Sequence, residues 1–187
     1  MLRTFVAVEI APSARQLAAE LAKKCRDLGV DAKWVEPDNL HLTLQFLGNV
    51  RETDIHTVFA SLSRAVRPLT PFDVVCRGVG AFPHADRPHV VWLGIDEGRE
   101  PLVGLQAVVA QALGEIGFRG EARRFEPHVT LGRIRRGPGP ELAAFLREHA
   151  EDAFGAFDVS EILVVASRPE RRGPRYEVLG RAELRGA

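Results

Sequence analysis

Hydrophobic positions at the start of the chain follow two patterns, first the period of a strand and then that of a helix. The stretch from Phe5 to Ile10 alternates and is rich in β-branched residues, which predicts a strand. Leu17, Leu21 and Leu28 then fall on one face of a helix, which Ser13 can cap at its start. The chain therefore opens with a strand followed by an amphipathic helix.

Both halves of the chain repeat one order of elements: a helix, a strand that begins with histidine, a helix and two strands. A pattern P-x4-P-x4-L-G begins at Pro83 and recurs at Pro169, 86 residues later, while His41 and His128 are 87 residues apart. This near-constant spacing predicts a duplicated unit, and so two lobes related by a pseudo-two-fold axis within one domain over 1–187. The predicted strands are 41–47, 72–79, 90–95, 128–134, 157–166 and 176–184, and the predicted helices are 53–66, 101–116 and one after Pro140.

The composition is ordinary for a soluble globular protein, with 45% hydrophobic and 27% charged residues among 187. The 25 basic and 25 acidic residues cancel, so no global positive field can hold long nucleic acid and any RNA contact must be local. Two cysteines are too few for a disulfide scaffold, and no stretch resembles a signal peptide or a membrane span. We expect a soluble cytoplasmic protein without membrane contact.

Two tetrads contain the candidate chemistry, His-Leu-Thr-Leu at 41–44 and His-Val-Thr-Leu at 128–131. On a strand, the histidine and threonine of each tetrad share one face, about 7 Å apart. The apolar residues that alternate with them are expected to face a hydrophobic layer, and these are Leu42, Leu44, Phe46, Val129 and Leu131.

Across a cleft, one of the imidazoles of His41 and His128 can take a proton from an attacking water while the other gives a proton to the departing oxygen. Histidine suits both roles because its ordinary pKa lies near neutral pH. Thr43 and Thr130 can donate hydrogen bonds to nonbridging phosphate oxygens. This scheme requires neither a metal ion nor a cofactor.

Other interpretations compete with paired catalysis. A lone histidine before a threonine is ordinary strand sequence, although packing alone would favour an apolar residue. A metal hydrolase needs a ligand pattern, and His84 and His89 match no zinc spacing. A non-catalytic RNA-binding protein has no need of two titrating groups. An ATP-dependent ligase needs a lysine nucleophile in its own motif, which is absent around Lys23, Lys24 and Lys33.

The tetrads lie within the longer stretches NLHLTLQFLG at 39–48 and FEPHVTLGR at 125–133, accompanied by RTFVAV at 3–8 and a Phe82-Pro83 turn. These stretches resemble the 2H phosphoesterase superfamily, which is defined by two His-x-Thr-x motifs. They are most similar to its RNA 2′,3′-cyclic phosphodiesterases, also called 2′-5′ RNA ligases. The resemblance implies an α+β, bilobal, duplicated fold with two mostly antiparallel sheets around a central cleft and helices on the outside.

The same resemblance implies an activity and assigns roles. It implies hydrolysis of RNA 2′,3′-cyclic phosphate ends to 2′-phosphates and a reversible 2′-5′ ligation without ATP. The proton donor would be His41 and the proton acceptor His128. We expect the partner to be an RNA end or a small cyclic-phosphate nucleotide, bound by a monomer that requires no protein partner.

Further substrate contacts are expected around the tetrads. Arg133 matches a family arginine near the phosphate, but it has the opposite strand parity to His128 and reaches the cleft only if the strand bends, for which Gly132 is a suitable site.

The paired loops 81–89 and 167–175 are a further expected source of contacts. As a hypothesis, they flank the cleft and grip RNA phosphates, and Arg168 is one of four arginines in the second loop. Phe46 or Phe82 is expected to stack a base.

Overall fold

The computed structural model describes residues 1–120, 123–137, 139–170 and 173–186. Within these residues the chain forms nine strands and four α-helices. The strands are β1 (Leu2–Glu9), β2 (Ala32–Trp34), β3 (His41–Val50), β4 (Phe72–Phe82), β5 (Val90–Ile95), β6 (His128–Ile134), β7 (Ala153–Val159), β8 (Glu161–Glu170) and β9 (Gly173–Glu183). The helices are α1 (Pro12–Asp27), α2 (Ile55–Val66), α3 (Arg99–Glu115) and α4 (Pro140–Glu148).

The strands form two four-stranded antiparallel halves that are joined into one sheet. One half has the order β9-β8-β1-β3 and the other the order β7-β4-β5-β6. The halves meet where Leu42 of β3 pairs with Val129 of β6. Further along β6, β2 pairs with the edge of β6 that faces β3. Because Leu42 and Val129 each follow a tetrad histidine, this junction brings both tetrads together.

Only one half of the sheet comes from one contiguous segment: β4 to β7 are consecutive strands, whereas the other half combines β1 and β3 with the last two strands. The last two strands, β8 and β9, extend the half that contains β1 and β3. The pattern that begins at Pro83 leads into β5, which has a strand on both sides, whereas its recurrence at Pro169 leads into β9 at the end of the sheet. The two copies of this pattern therefore occupy places that are not equivalent in the sheet.

The two faces of the sheet have different surroundings. One face and the helices enclose a large core, to which β1 contributes Val6 and Val8. The sheet curls into a half-barrel, and its other face carries a small apolar cluster on β1 and β8. The expected α+β class with antiparallel strands and outer helices is confirmed. Within the described ranges, no helix combines the length and the apolar character that a membrane span needs. The small cluster consists of Phe5, Ala7, Leu163 and Val165, with Tyr176 packed against it.

Helix α1 differs from its prediction in its cap and in its buried face. It begins at Pro12, with Ala11 in the N-cap position, so Ser13 lies inside the first turn. Leu17 and Leu28 are 38% and 40% exposed. The buried face instead consists of small residues with Leu21, which lets the helix lie close to the sheet. These buried residues are Ala14, Ala18, Leu21, Ala22 and Cys25.

Two other element boundaries were wrong for local reasons. Helix α2 starts at Ile55 rather than at Thr53, because Glu52–Asp54 forms a separate 3-10 turn. The strand predicted over 157–166 is divided at Ser160 into β7 and β8. These two strands pair with β4 and β1, so the chain crosses from one half of the sheet to the other at this residue.

Candidate active site

His41 and His128 are held in the same way at the starts of β3 and β6. In each ring, Nδ1 lies 2.6 Å from a backbone carbonyl oxygen two residues earlier, that of Asn39 or Glu126. A carbonyl oxygen only accepts hydrogen bonds, so in the neutral ring Nδ1 has the proton and Nε2 has the free lone pair. Each imidazole can therefore accept a proton at Nε2, or donate one from Nε2 once it is charged.

The residues that supply these carbonyl groups are themselves held by side-chain contacts. Asn39 donates a hydrogen bond from Nδ2 to the backbone oxygen of Pro174 over 2.9 Å, which joins the turn before β3 to β9. The carboxylate of Glu126 forms an ion pair with Arg99 at the start of α3. These contacts fix the orientation of both imidazole rings.

Aromatic rings contact each histidine. His41 stacks on Phe5, with ring centroids 4.8 Å apart and planes at 27°, and meets Tyr176 edge-on at 5.3 Å. His128 meets Phe82 edge-on at 5.0 Å. The ring of Phe82, a residue predicted to stack a base, thus contacts the second imidazole.

Burial lowers the pKa of both histidines below the ordinary value of 6.5. In His41 the Nδ1 hydrogen bond opposes this effect and the charge of His128 adds to it. In His128 burial is again the largest cause. The Nδ1 hydrogen bond and the charge of Glu126 raise the pKa, while the charge of Arg123 and, to a smaller extent, that of Arg133 lower it. The two imidazoles therefore form one electrostatic site in which the neutral rings are favoured before a phosphate binds.

The first tetrad ends in a β-bulge. Ala7 and Val6 are successive residues of β1, yet they lie opposite Thr43 and Gln45. Leu44 is therefore an extra residue on β3, and its side chain is buried in the core. An extra residue reverses the alternation of faces beyond it.

The second tetrad has a bulge at the same place. Trp92 and Val91 are successive residues of β5 that lie opposite Thr130 and Gly132, so Leu131 is the extra residue on β6. Leu131 is fully buried. Both bulges come three residues after a histidine, and both Thr43 and Thr130 precede the bulge, half-buried on the histidine face.

The first bulge places Phe46 on the face of His41. Phe46 is 43% exposed, and its ring centroid lies 5.9 Å from that of Phe5, which stacks on the imidazole. The prediction that Phe46 faces the hydrophobic layer was wrong, because regular alternation does not continue past Leu44. Its exposure at the site is compatible with the other role predicted for it, stacking against a base.

The second bulge places Arg133 on the face of His128. Arg133 is exposed, and its charge lowers the pKa of both His128 and Tyr176. The bend that Arg133 needs to reach the cleft is present, but it is made by the extra residue Leu131 and not by Gly132. Gly132 has a different role: a Cβ atom there would lie 2.6 Å from the Trp34 ring. Glycine at this position lets β2 pack closely against β6.

Phe5 and Tyr176 are site residues that the sequence interpretation did not single out. Burial raises the pKa of Tyr176, while the charges of Arg133 and Arg3 lower it. A raised pKa keeps the phenol protonated near neutral pH, so it can donate a hydrogen bond. A signal for Phe5 existed, because Phe5 and Ala7 alternate with Val6 and Val8 and make both faces of β1 apolar.

Arg168, which was also predicted to contact the substrate, forms an ion pair with Glu177. Its Nε atom donates a hydrogen bond to a carboxylate oxygen of Glu177 over 2.7 Å. Glu177 follows Tyr176 on β9, so it points to the opposite face of that strand. Two further arginines of this predicted loop, Arg171 and Arg172, lie outside the described residues.

Comparison with known proteins adds an independent finding to this geometry. The family model described as LigT like phosphoesterase matches the chain twice, over residues 5–92 and 93–176. The chain belongs to this phosphoesterase family. The resemblance drawn from the two tetrads is thereby confirmed.

Relatives of this phosphoesterase span nearly its full length. It is 34% identical to the RNA 2′,3′-cyclic phosphodiesterase of Aquifex aeolicus over 187 residues, or 100% of this chain and 99% of that protein. It is 36% identical to the protein of the same name from Archaeoglobus fulgidus over 178 residues, or 95% and 98% of the two chains.

Two solved structures show the same fold. TT0787 of Thermus thermophilus superposes with a TM-score of 0.84 and 30% identity over 99% of both chains. E. coli LigT in complex with 3′-AMP superposes with a TM-score of 0.76 and 26% identity over 98% of both chains.

Proposed function

We propose that this phosphoesterase hydrolyses the 2′,3′-cyclic phosphate at an RNA end to a 2′-phosphomonoester, with His41 as general acid and His128 as general base. The observation that supports this most directly is that both imidazole rings make the same hydrogen bond to a backbone carbonyl group. Each Nδ1 proton is bound by a carbonyl oxygen, which leaves Nε2 for proton transfer. The relatives from Aquifex aeolicus and Archaeoglobus fulgidus are named for this activity.

In the proposed reaction, His128 takes a proton from water through Nε2 as the water oxygen forms a bond to phosphorus. The bond between phosphorus and O3′ breaks, and charged His41 gives its Nε2 proton to O3′. The product has a 2′-phosphate and a free 3′-hydroxyl group. Proton exchange with solvent then returns His41 to its charged form and His128 to its neutral form.

The remaining predicted contacts divide between phosphate and base. Thr43 and Thr130 donate hydrogen bonds to the nonbridging oxygens, and Arg133 offsets their negative charge. Phe46 and Phe82 are the rings available to stack a base, because both lie on the histidine face. Arg168 was predicted to join this set, but its ion pair with Glu177 must first open.

The same chemistry also forms a 2′-5′ linkage. If the 5′-hydroxyl of a second RNA replaces water, its oxygen attacks phosphorus, the bond to O3′ breaks and the two RNAs are joined without ATP. RNA ends and small cyclic-phosphate nucleotides are the partners we propose. We further propose that the enzyme acts as a cytoplasmic monomer.

Product analysis tests this function. A short RNA with a 2′,3′-cyclic phosphate should yield only the 2′-phosphate, and an excess of chelator should leave the rate unchanged. A 3′-phosphate product would contradict the proposed bond cleavage, and a chelator-sensitive rate that is restored by metal would contradict the histidine mechanism. Binding of the RNA without any product would identify a non-catalytic RNA-end-binding protein instead.

A further inference from the structure

Lys33 of β2 lies directly opposite Arg133 of β6. Residues opposite one another on antiparallel strands point to the same face. The preceding pair, Ala32 and Ile134, packs against the large core, so the Lys33–Arg133 pair points to the cleft face. Both side chains of this pair are exposed.

Two like charges placed opposite one another repel, so the pairing of Lys33 with Arg133 costs stability in the absence of a ligand. Neither side chain forms an ion pair with any residue in the described part of the chain. The acid nearest to Lys33 in sequence, Asp31, pairs with Arg136 over 3.7 Å. A bound anion would remove the repulsion, which makes this pair of cations a candidate phosphate site.

The two cations lie side by side beyond the second tetrad. Four regular strand steps separate His128 from Arg133 once the bulge is counted, about 13 Å between α-carbons. Beyond the bulge, Arg133 lies on the same face of β6 as His128. Lys33 lies about 5 Å to the side of Arg133, on the edge of β6 that β3 also faces. The proposed function assigns Arg133 to the terminal phosphate, so Lys33 beside it is available for the next phosphate of the chain.

We propose that Lys33 binds the phosphodiester on the 5′ side of the terminal nucleotide, so that the site binds the end of an RNA chain more tightly than a mononucleotide. This inference rests on the proposed function, which places the terminal phosphate between His41 and His128. The 5′ phosphodiester is the neighbouring anion in an RNA chain, and a nucleoside cyclic phosphate lacks it. A lysine ammonium suits such a contact because it binds phosphate as a point charge and needs no fixed geometry.

Binding of reaction products tests the inference without requiring turnover. The ligands are a dinucleotide with a 2′-phosphate, which has one internal phosphodiester, and the matching nucleoside 2′-phosphate, both measured by titration calorimetry. The Lys33→Ala variant should bind the dinucleotide roughly fivefold more weakly and the nucleoside 2′-phosphate with unchanged affinity. The slope of log affinity against log salt for the dinucleotide should become shallower by about 0.7.

Two further variants separate the charge from the fold. Lys33→Arg should retain most of the dinucleotide affinity, because the cation remains. Lys23→Ala, which removes an exposed lysine of α1, should change nothing. Equal weakening of both ligands by Lys33→Ala, or no weakening of either, would overturn the inference even if cyclic-phosphate hydrolysis is observed. Failure of hydrolysis alone would count against the proposed function and not against this binding difference.

Discussion

Phe46 and Arg133 occupy the same place relative to the two histidines. Each is the fifth residue after its histidine, and each reaches the histidine face through a bulge at the third. One half of the sheet thus presents an aromatic ring where the other presents a guanidinium. Aromatic rings stack on bases and guanidinium groups bind phosphate, so these two equivalent positions suit different parts of one nucleotide.

Replacing Phe46 with alanine should weaken substrate binding more than it slows chemistry. Stacking of a base on an aromatic ring contributes about 1–3 kcal/mol, so KM for a cyclic-phosphate dinucleotide should rise by about tenfold with little change in kcat. Phe46→Trp should preserve KM because it keeps a stacking surface. Val103→Ala, at another exposed apolar residue on α3, is the matched control and should have no effect. A fall in kcat with unchanged KM would contradict a binding role.

The histidine strands were predictable because their apolar residues alternate, and the fold class was predictable from the family that the two tetrads resemble. The bulges were not predictable. The sequence His-Leu-Thr-Leu alternates as regularly as any strand, and nothing in the residue types shows that one residue is extra. The register with β1 and β5 is what shows that Leu44 and Leu131 have no partner. For this reason Phe46 was assigned to the wrong face, and the access of Arg133 to the cleft was left dependent on a bend.

Contacts between distant segments were the other part that the sequence could not supply. Tyr176 meets His41 only because β9 is added to the half of the sheet that contains β3. The break at Ser160 has the same origin, because the strands on its two sides pair with partners in different halves. In helix α1 the prediction favoured leucines, whereas close approach to the sheet favoured the alanine face.

Removal of either catalytic histidine should reduce kcat strongly. His41→Ala and His128→Ala should each lower kcat by about 10² to 10⁴, the usual contribution of one general acid or base. The double variant should be only slightly worse than the single variants, because the two groups act in one step. His56→Ala, at an exposed histidine of α2, is the control and should retain full activity. Full activity in the double variant would refute paired catalysis.

The pH dependence of hydrolysis should report both lowered pKa values. The free enzyme needs neutral His128 and charged His41, which predicts a bell-shaped profile of kcat/KM. Because burial lowers the pKa of His41 below 6.5, the loss of activity on the alkaline side should have its midpoint below pH 6.5. A bound phosphate favours the charged rings, so the profile of kcat should lie at higher pH. Rates measured between about pH 4.5 and 9 test this, and a monotonic profile is the contrary result.

A Gly132→Ala variant tests whether the packing of β2 on β6 positions Arg133. A Cβ atom at this position would lie 2.6 Å from the Trp34 ring, so Gly132→Ala must push the two strands apart. We expect the free energy of unfolding to fall by about 1–3 kcal/mol, as in other overpacked sites, when it is measured by urea denaturation. We also expect KM to rise, because the displaced strand carries Arg133 with it.

The matched control for this variant is Gly104→Ala in α3, where a Cβ atom would meet nothing within 4 Å. Removing a glycine from a helix interior should raise stability by about 0.5–1 kcal/mol and leave KM unchanged. If Gly132→Ala lowered stability without raising KM, the Trp34 contact would support the fold alone. If it raised KM while Arg133→Ala did not, the displaced residue that matters for binding would be Lys33, which lies opposite Arg133 on the same pair of strands.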